Sequence, residues 1–201
     1  MLDDLEGILL HEDEIKRRVE ELGEQISRDY CGKELVVVGI LKGALVFMAD
    51  LVRRLSIPVV IDFVAISSYG AATKSSGAVR ILKDLDAPVE NKHVLIVEDI
   101  IDTGLTLSYL VENLRARKPL SVKICTLLDK PDRREINIRP DYNGFQIPDK
   151  FVVGYGLDYS EKYRNLPSVA VLKPRVYQGR KGGSQASDSN KTGCYGAGGK
   201  G

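Results

Sequence analysis

Two adjacent carboxylates, Glu98 and Asp99, follow the apolar run Val94–Val97 directly. Neighbouring carboxylates at the end of a buried strand repel each other, and a divalent cation or the hydroxyls of a ribose would relieve that repulsion. Hard oxygen ligands of this kind suit Mg²⁺. The pair therefore predicts a site where Mg²⁺ and a sugar are bound together.

The segment Asp102–Thr106, DTGLT, follows these acids and opens an apolar-periodic stretch typical of a helix. The hydroxyls of Thr103 and Thr106, with free backbone amides around Gly104, would form a phosphate cradle at the helix N-terminus. The alternative is an ordinary helix capped by Asp102 or Thr103, with both preceding acids solvated. We favour phosphate binding because the two acids stand directly before the turn. The stretch has neither the G-x-x-x-x-G-K-S/T nor the G-x-G-x-x-G pattern, so neither a Walker loop nor a nicotinamide cofactor is indicated.

A second candidate is Lys42-Gly43, which lies between the apolar run Glu34–Leu41 and the apolar segment Ala44–Leu55. Glycine lets backbone amides approach a ligand closely, and a following helix N-terminus favours negative charge. The pair is therefore either an anion contact or a solvated loop lysine, and spacing alone leaves both open. The small, polar segment Ser67–Arg80 is a hairpin connection by composition, but its length is also typical of a lid or binding loop.

Apolar runs alternate with amphipathic segments of helical period along the chain. This alternation predicts an α/β fold with a mainly parallel sheet and helices on both faces. The predicted strands are Glu34–Leu41, Pro58–Ile66, Ile81–Lys83, Val94–Val97, Ser121–Leu128, Phe151–Tyr155 and Val169–Leu172. The predicted helices are Glu12–Tyr30, Ala44–Leu55 and Gly104–Lys118.

Polar groups follow four of these strands at their carboxyl ends. They are Lys42-Gly43, Glu98-Asp99, Lys130 and the segment after Phe151. Ligands of open parallel sheets bind at the carboxyl ends of the strands. We therefore expect these four groups to meet at one edge of the sheet.

Bulk composition excludes several classes of function. The 201 residues suit one domain, and 29 Lys and Arg against 28 Asp and Glu give a net charge of +1. This balance argues against bulk nucleic-acid binding or an anionic membrane surface. No apolar run is long enough for a membrane helix, and the acidic start MLDDLEG is unlike a signal peptide.

The cysteines and histidines carry no catalytic pattern. Cys31, Cys125 and Cys194 are far apart and odd in number, which indicates neither disulfides nor a zinc site and favours a reduced, cytoplasmic setting. Cys125 is expected in the core. His11 has no partner pattern, and His93 is expected at the surface. The Gly- and Ser-rich segment from 178 to 201 is predicted to be a disordered tail.

The stretch VLIVEDIIDTGLTL closely resembles the phosphoribosyl-pyrophosphate (PRPP) signature of the type I phosphoribosyltransferases. More narrowly, the chain resembles the hypoxanthine(-guanine) phosphoribosyltransferases, particularly bacterial ones, from about Leu9 to Leu172. The other matching blocks are LKGA at Leu41–Ala44, SSYG at Ser67–Gly70, LLDKPDRR at Leu127–Arg134, IPDKFVVGYGLDY at Ile147–Tyr159 and YRNLP at Tyr163–Pro167. The last two blocks indicate the 6-oxopurine branch.

The resemblance implies how PRPP is held. Glu98 and Asp99 would hold the ribose hydroxyls and, directly or through water, Mg²⁺. Pyrophosphate would lie on Lys42, Gly43 and Arg164, and the Leu41–Lys42 peptide is often cis in this family. The 5′-phosphate cradle would consist of Asp102, Thr103, Gly104, Leu105 and Thr106, with leucine at position 105 where some members carry lysine.

The resemblance also implies a purine subsite and a lid. Lys130 would hydrogen-bond the 6-oxo group. Phe151 would stack on the base, and Val152 would bond its edge through backbone atoms. Asp158 would coordinate a second Mg²⁺ on the pyrophosphate side, and backbone carbonyls near it would read the purine C2 position. The lid would contain Ser68 and Tyr69.

The implied fold is a mainly parallel twisted sheet flanked by helices, in a single domain over residues 1–177. A small hood would come from N-terminal residues and about 130–177. The implied reaction is Mg²⁺-dependent transfer of 5-phosphoribosyl from PRPP to hypoxanthine, and also guanine, in purine salvage. Asp102 would be the general base that takes a purine proton, at N7. The family implies a homodimer or homotetramer.

Three other functions are alternatives to this one. A plain nucleotide-binding module would leave the pyrophosphate contacts and the lid unexplained. A phosphoribosyltransferase for adenine or a pyrimidine is disfavoured, because the cationic donor Lys130 suits a carbonyl and not an amino group. An RNA-binding regulator with this fold would need a basic face, which the balanced charge does not indicate. The choice among hypoxanthine, guanine and xanthine stays open.

Overall fold

The structure, a computed structural model, describes residues 1–68 and 79–178. The strands are β1 (Leu5–Leu10), β2 (Leu35–Leu41), β3 (Val59–Ser68), β4 (Val79–Lys83), β5 (His93–Ile101), β6 (Ser121–Asp129), β7 (Tyr142–Gln146), β8 (Val152–Val153) and β9 (Val169–Leu172). The helices are α1 (Glu12–Asp29), α2 (Leu45–Val52), α3 (Leu105–Arg115) and α4 (Pro174–Gln178), with short 3-10 helices at Leu2–Asp4 and Pro131–Arg133.

The main sheet has six strands in the order β4-β3-β2-β5-β6-β7. Strands β3, β2, β5, β6 and β7 are parallel, and β4 is antiparallel to β3 at the edge. The central strand β2 is apolar at every position except its glycine and is almost wholly buried, as expected for a strand covered on both faces. The fold is therefore the predicted α/β sheet.

Successive side chains of the central strands enter two separate cores. Val37 and Leu95 pack with helices α1 and α2 on one face. Val36 and Val94 pack with α3 on the other face. Alternation along a strand places neighbours on opposite faces, so the same two strands support both layers.

A second, three-stranded antiparallel sheet has the order β1-β9-β8. Its first strand pairs Leu5 with Leu172, which joins the two ends of the described chain. The predicted strand Phe151–Tyr155 shrinks here to the two residues of β8. The expectation that this segment follows a strand of the parallel sheet was therefore wrong, because the strand belongs to the second sheet.

Strand β5 is longer than predicted. Its pairing with β6 continues through Glu98 opposite Thr126 to Ile101 opposite Asp129. The two acids thus lie within the last part of the strand and not after it. His93 at its start is half-buried, with Nδ1 2.8 Å from the Ser121 hydroxyl, so the prediction of a surface residue was wrong.

Several smaller predictions can be compared directly. Cys125 is fully buried, as expected, whereas Cys31 is exposed. Within the described residues no helix is long and apolar enough to cross a membrane. Most of the predicted loop (residues 69–78) and of the predicted tail (residues 179–201) lies outside the described residues. Gln178, the first residue of that tail, closes helix α4.

Candidate active site

The carboxylate pair lies against the glycine that follows β2. A Cβ atom added at Gly43 would collide with the Asp99 carboxylate, so a larger residue at this position would displace that side chain. Burial and repulsion by Asp99 raise the pKa of Glu98 well above its usual value. Burial also raises the pKa of Asp99 to about 6, although hydrogen bonds from backbone N–H groups and the nearby Arg164 oppose the shift. The free protein therefore carries two carboxyl groups that would be more stable next to a cation.

One atom of this pair stands out. Glu98 Oε2 is buried and has no hydrogen-bond partner within the described residues. Buried carboxylate oxygens are normally paired, and exceptions often mark a place for an ion or a ligand. No cluster of three or more His, Cys, Asp or Glu side chains occurs in the described ranges 1–68 and 79–178. An oxygen-ligated ion here would take one or two protein carboxylates and complete its shell with substrate oxygens and water, as is usual for Mg²⁺.

Two cations meet beside this pair. The Leu41–Lys42 peptide is cis, as the resemblance implied. Arg164 Nη1 donates to the Gly156 carbonyl at 2.7 Å, and Arg164 Nη2 lies 2.7 Å from Asp158 Oδ1. Glu161 joins the two cations, with Oε2 3.1 Å from Lys42 Nζ and Oε1 3.5 Å from Arg164 Nη2. We call Lys42, Gly43, Asp158, Glu161 and Arg164 the anion pocket.

The turn from β5 into α3 is built around Gly104. This residue is the N-cap of α3, with φ of +84°, and no side chain caps the helix. An added Cβ would also lie 2.6 Å from Ile138 Cγ2, so glycine is required for conformation and for space. The first helical hydrogen bond runs from the Ser108 N–H to the Gly104 carbonyl, which leaves the preceding N–H groups without helical partners. The Leu105 N–H donates to the Thr103 hydroxyl at 3.4 Å, and the other donors suit an anion. The N-cap position is Gly104, and not Asp102 or Thr103 as the alternative expected.

The Asp102 carboxylate instead faces the segment after β6. Arg133 Nε donates to Asp102 Oδ1 at 3.1 Å, and Arg134 Nη1 donates to the Asp102 carbonyl at 2.8 Å. Arg134 is held in turn by an ion pair with the buried Asp129. The Glu135 N–H donates to the Thr103 carbonyl at 3.0 Å. The loop that carries Asp102 is therefore fixed by the segment that begins at Lys130.

Lys130 is buried at the junction of the two sheets. Its N–H donates to the Ile101 carbonyl at 3.0 Å, directly before Asp102. Its ammonium donates to the Lys150 carbonyl at 2.7 Å, and Asp149 Oδ1 lies at 3.7 Å. Lys130 thus connects the turn Asp102–Thr106 to the residues just before Phe151. We call this turn the phosphate turn, after its predicted role.

Phe151 is part of a small aromatic group. Its ring stacks on Tyr177 of α4, with centroids 4.8 Å apart and planes at 19°, and meets the edge of Tyr159 at 5.6 Å. Phe151 remains 37% exposed, so part of its ring surface is accessible to a ligand. Flat aromatic surfaces of this kind suit a planar heterocycle.

Val152 can present its backbone to the same ligand. The Leu172 N–H donates to the Phe151 carbonyl, which makes Val152 and Val171 the non-hydrogen-bonded pair of this antiparallel ladder. The N–H and C=O of Val152 therefore point away from β9, towards the open edge of the second sheet.

The structure thus brings together most residues expected from the sequence. Asp99 meets Gly43, Arg164 meets Asp158, and Lys130 links Asp102 to the segment of Phe151. Ser68 ends β3, whereas Tyr69, the other expected lid residue, lies outside the described residues. Residues that sequence reasoning missed are Arg133, Arg134, Asp149, Glu161 and Tyr177. Of these, Arg133 and Arg134 carried a signal because they close the LLDKPDRR block, and Asp149 carried one because it lies in the block IPDKFVVGYGLDY.

Comparison with known proteins agrees with this geometry. The profile of the phosphoribosyl transferase domain matches residues 7–160. The chain is 54% identical to the hypoxanthine-guanine phosphoribosyltransferase of Bacillus subtilis (strain 168) over 178 residues, covering 89% of this chain and 99% of that protein. It is 51% identical to the protein of the same name from Mycobacterium tuberculosis (strain H37Rv), covering 87% of this chain and 90% of that protein.

Among solved structures, a hypoxanthine phosphoribosyltransferase from Staphylococcus aureus superposes with a TM-score of 0.85. It is 54% identical in sequence, and the match covers 88% of this chain and 96% of that chain. This chain therefore belongs to the hypoxanthine-guanine phosphoribosyltransferase family of transferases.

Proposed function

We propose that this chain transfers the 5-phosphoribosyl group of PRPP to a 6-oxopurine, hypoxanthine and also guanine, in purine salvage. The products would be IMP or GMP and pyrophosphate. The observation that carries the proposal is the meeting of four different binding features at one edge of the molecule. An acid pair, a helix N-terminus, an anion pocket and an aromatic surface each match one part of these two substrates.

The sugar and 5′-phosphate are assigned to β5 and the turn after it. Thr103, Leu105 and Thr106 would bind the phosphate through backbone N–H groups and hydroxyls at the start of α3. Glu98 and Asp99 would accept hydrogen bonds from the ribose hydroxyls. The buried, unpartnered Glu98 Oε2 and the raised pKa of both acids support a cation in this position.

These oxygen ligands fit Mg²⁺, with Asp158 as a further ligand on the pyrophosphate side. Bound there, Mg²⁺ would supply positive charge that neutralises the diphosphate of PRPP. The protein supplies charge of its own, because Lys42 and Arg164 are the cations of the anion pocket. They would stabilise the negative charge that grows on pyrophosphate as the C1′–O bond loosens.

The purine is assigned to the space between Lys130 and Phe151. A cationic donor such as Lys130 matches a carbonyl acceptor at C6 and leaves an amino group at C6 without an acceptor. Phe151 would stack on the base, and the outward-pointing N–H and C=O of Val152 would bond its edge. This arrangement supports a 6-oxopurine over adenine.

Asp102 is assigned as the general base. The purine N9 lone pair forms the new bond to C1′, the C1′–O bond breaks, and its electron pair leaves with pyrophosphate. The N7 proton passes to the Asp102 carboxylate. Its place between the phosphate turn and Lys130 supports this role, because both substrates would adjoin it. A positioned general base typically contributes roughly 10²- to 10⁴-fold in rate.

Three further assignments complete the proposal. The loop after β3, with Ser68 and Tyr69, would close over the substrates and exclude water. The protein would act as a homodimer or homotetramer in the cytoplasm, without nucleic-acid or membrane partners. Sedimentation would measure the oligomer directly, and a monomer would contradict that part.

A spectrophotometric assay with PRPP, Mg²⁺ and one base at a time tests the function. We expect turnover with hypoxanthine and guanine, little with adenine and none with uracil. A Lys130→Ala variant should lose this preference for a carbonyl at C6. Equal rates with adenine in the wild-type protein would contradict the assignment of the purine subsite.

A further inference from the structure

We propose that the Glu161 carboxylate competes with pyrophosphate for the two cations of the anion pocket. Its carboxylate occupies Lys42 and Arg164 in the free protein and has to leave when pyrophosphate enters. The inference rests on the proposed function, which assigns those two cations to the pyrophosphate group. It adds a residue that sets the affinity of the pocket and the ease with which product leaves.

Each oxygen of the Glu161 carboxylate contacts a different cation. Glu161 Oε2 lies 3.1 Å from Lys42 Nζ, while Oε1 lies 3.5 Å from Arg164 Nη2. The two cations come from distant parts of the chain, so a single carboxylate bridges the two sides of the pocket. A bridging anion with one oxygen on each cation is the arrangement that a diphosphate would also adopt.

The backbone holds Glu161 in an unusual conformation. Ser160 and Glu161 have φ of +52° and +60°, inside a tight turn closed by mutual hydrogen bonds between Tyr159 and Lys162. Two consecutive positive φ values at non-glycine residues are costly and persist only where the surroundings impose them. The two-residue turn between the paired residues Tyr159 and Lys162 imposes these values, and the Asp158 carboxylate adds to it, because its Oδ2 accepts the Glu161 N–H at 2.8 Å. The turn thus keeps Glu161 beside the two cations.

The charges make joint occupancy unfavourable. Asp158 already lies 2.7 Å from Arg164, and a second carboxylate from Glu161 supplies more negative charge to the same cation. A multiply charged pyrophosphate group would be repelled if Glu161 stayed. The Glu161 side chain is 65% exposed and borders a cavity of about 530 Å³ together with Lys162 and Tyr163, so it has room to swing away.

The expected change in pyrophosphate affinity follows from the solvent exposure of the two ion pairs of Glu161. Exposed ion pairs are each worth up to about fivefold in binding, and Glu161 makes two of them. Removing the charge in Glu161→Gln should therefore strengthen pyrophosphate binding about threefold to tenfold. The KM for PRPP should fall in the same direction. The gain should shrink at high ionic strength, because salt screens exposed charges.

Calorimetric titration of the full chain with inorganic pyrophosphate and Mg²⁺ tests the proposal. Glu161→Gln is compared with the wild type and with Glu24→Gln, an exposed acid of α1 that changes net charge equally. A Lys42→Met background completes a double-mutant cycle. The Glu161→Gln gain should be smaller in that background, because one of the two competed cations is already absent.

The sign of the change separates the explanations. Structural damage in the turn would weaken binding, whereas release of a competitor strengthens it. Equal or weaker binding by Glu161→Gln, with normal binding by the wild type, overturns the role of Glu161 and leaves the anion pocket in place. An equal gain in Glu24→Gln also overturns it. Absence of pyrophosphate binding in every protein removes the proposed function itself, and this inference with it.

Discussion

At the level of single residues, the acids of the candidate site are held in states that cost the free protein stability. Glu98 and Asp99 are adjacent and largely buried, and burial raises the pKa of both. Asp102, in contrast, stands half-exposed beside Arg133. The two environments suit two different tasks. A buried carboxylate pair without a counter-ion is ready for a cation, and a half-exposed carboxylate at the turn before α3 is open to a substrate.

The raised pKa of Asp99 predicts a dependence of stability on pH. Because the folded protein holds this proton more tightly than the unfolded chain, the stabilising contribution is present at low pH and is lost as pH rises through about 6. Between about pH 4 and pH 8, this contribution should fall by ~1–3 kcal/mol in the wild type and be absent in Asp99→Asn. Urea unfolding over this range measures the difference between the two proteins. Superimposable pH profiles would contradict the shift.

Asp102→Ala tests the proposed general base. Turnover should fall by roughly 10²- to 10⁴-fold, because the proposal assigns the purine proton to this carboxylate. The KM for PRPP should change by less than about threefold, since the proposed 5′-phosphate site consists mainly of backbone N–H groups. Steady-state kinetics gives both values. Asp132→Asn, an exposed acid of the neighbouring 3-10 helix, is the control and should behave like the wild type. Unchanged turnover in Asp102→Ala would remove Asp102 from this role.

At the level of elements, two short segments hold parts of the candidate site in place although they contain little regular secondary structure. The segment Lys130–Ile136 fixes the phosphate turn through Arg133, Arg134 and the backbone of Glu135. The short helix α4 places Tyr177 on Phe151. Each segment joins parts of the site that belong to different substrates. Their contacts therefore couple the purine subsite to the rest of the site.

The stacking of Tyr177 on Phe151 predicts an effect restricted to the purine. Aromatic pairs of this kind are worth about 0.5–1.5 kcal/mol, so Tyr177→Ala should raise the KM for hypoxanthine roughly 2- to 12-fold. The KM for PRPP should stay near the wild-type value. Tyr177→Phe keeps the ring and serves as the matched control. A parallel rise of both KM values would indicate a general loss of structure and would contradict a specific role.

The sequence predicted those elements whose signal is local. The apolar runs of β2, β3 and β6 and the periodic helix α1 were expected within a few residues of their observed bounds. Strand β1 was missed because LEGILL alternates poorly, and its pairing with β9 depends on residues far along the chain. Strand β7, YNGFQ, was missed because Asn and Gly are rare in strands. Glu161 was missed for the same physical reason as β1, since its ion pair with Lys42 spans 119 positions.

At the level of the whole molecule, the parallel sheet positions most of the candidate site, and the second sheet supplies the residues proposed to bind the purine. The carboxyl ends of β2, β5 and β6 carry Lys42, Asp99 and Lys130, which the topology alone brings to one edge. The second sheet brings Phe151 and Val152 to that edge. Sequence reasoning could predict the position of Lys42, Asp99 and Lys130, because ligands of open parallel sheets bind at the carboxyl ends of the strands. Residue spacing alone could not show that the proposed purine residues come from a separate antiparallel sheet, because that sheet unites both ends of the described chain; only the family resemblance implied a hood from these parts of the chain.

The central claim is that this one edge joins a purine to the sugar of PRPP. The most direct measurement is the product balance of the wild-type protein with PRPP, Mg²⁺ and hypoxanthine, followed by chromatography and phosphate analysis. The structure predicts one IMP and one pyrophosphate for each PRPP consumed, with little ribose 5-phosphate. Consumption of PRPP without IMP, or no consumption at all by the folded protein, would contradict the claim.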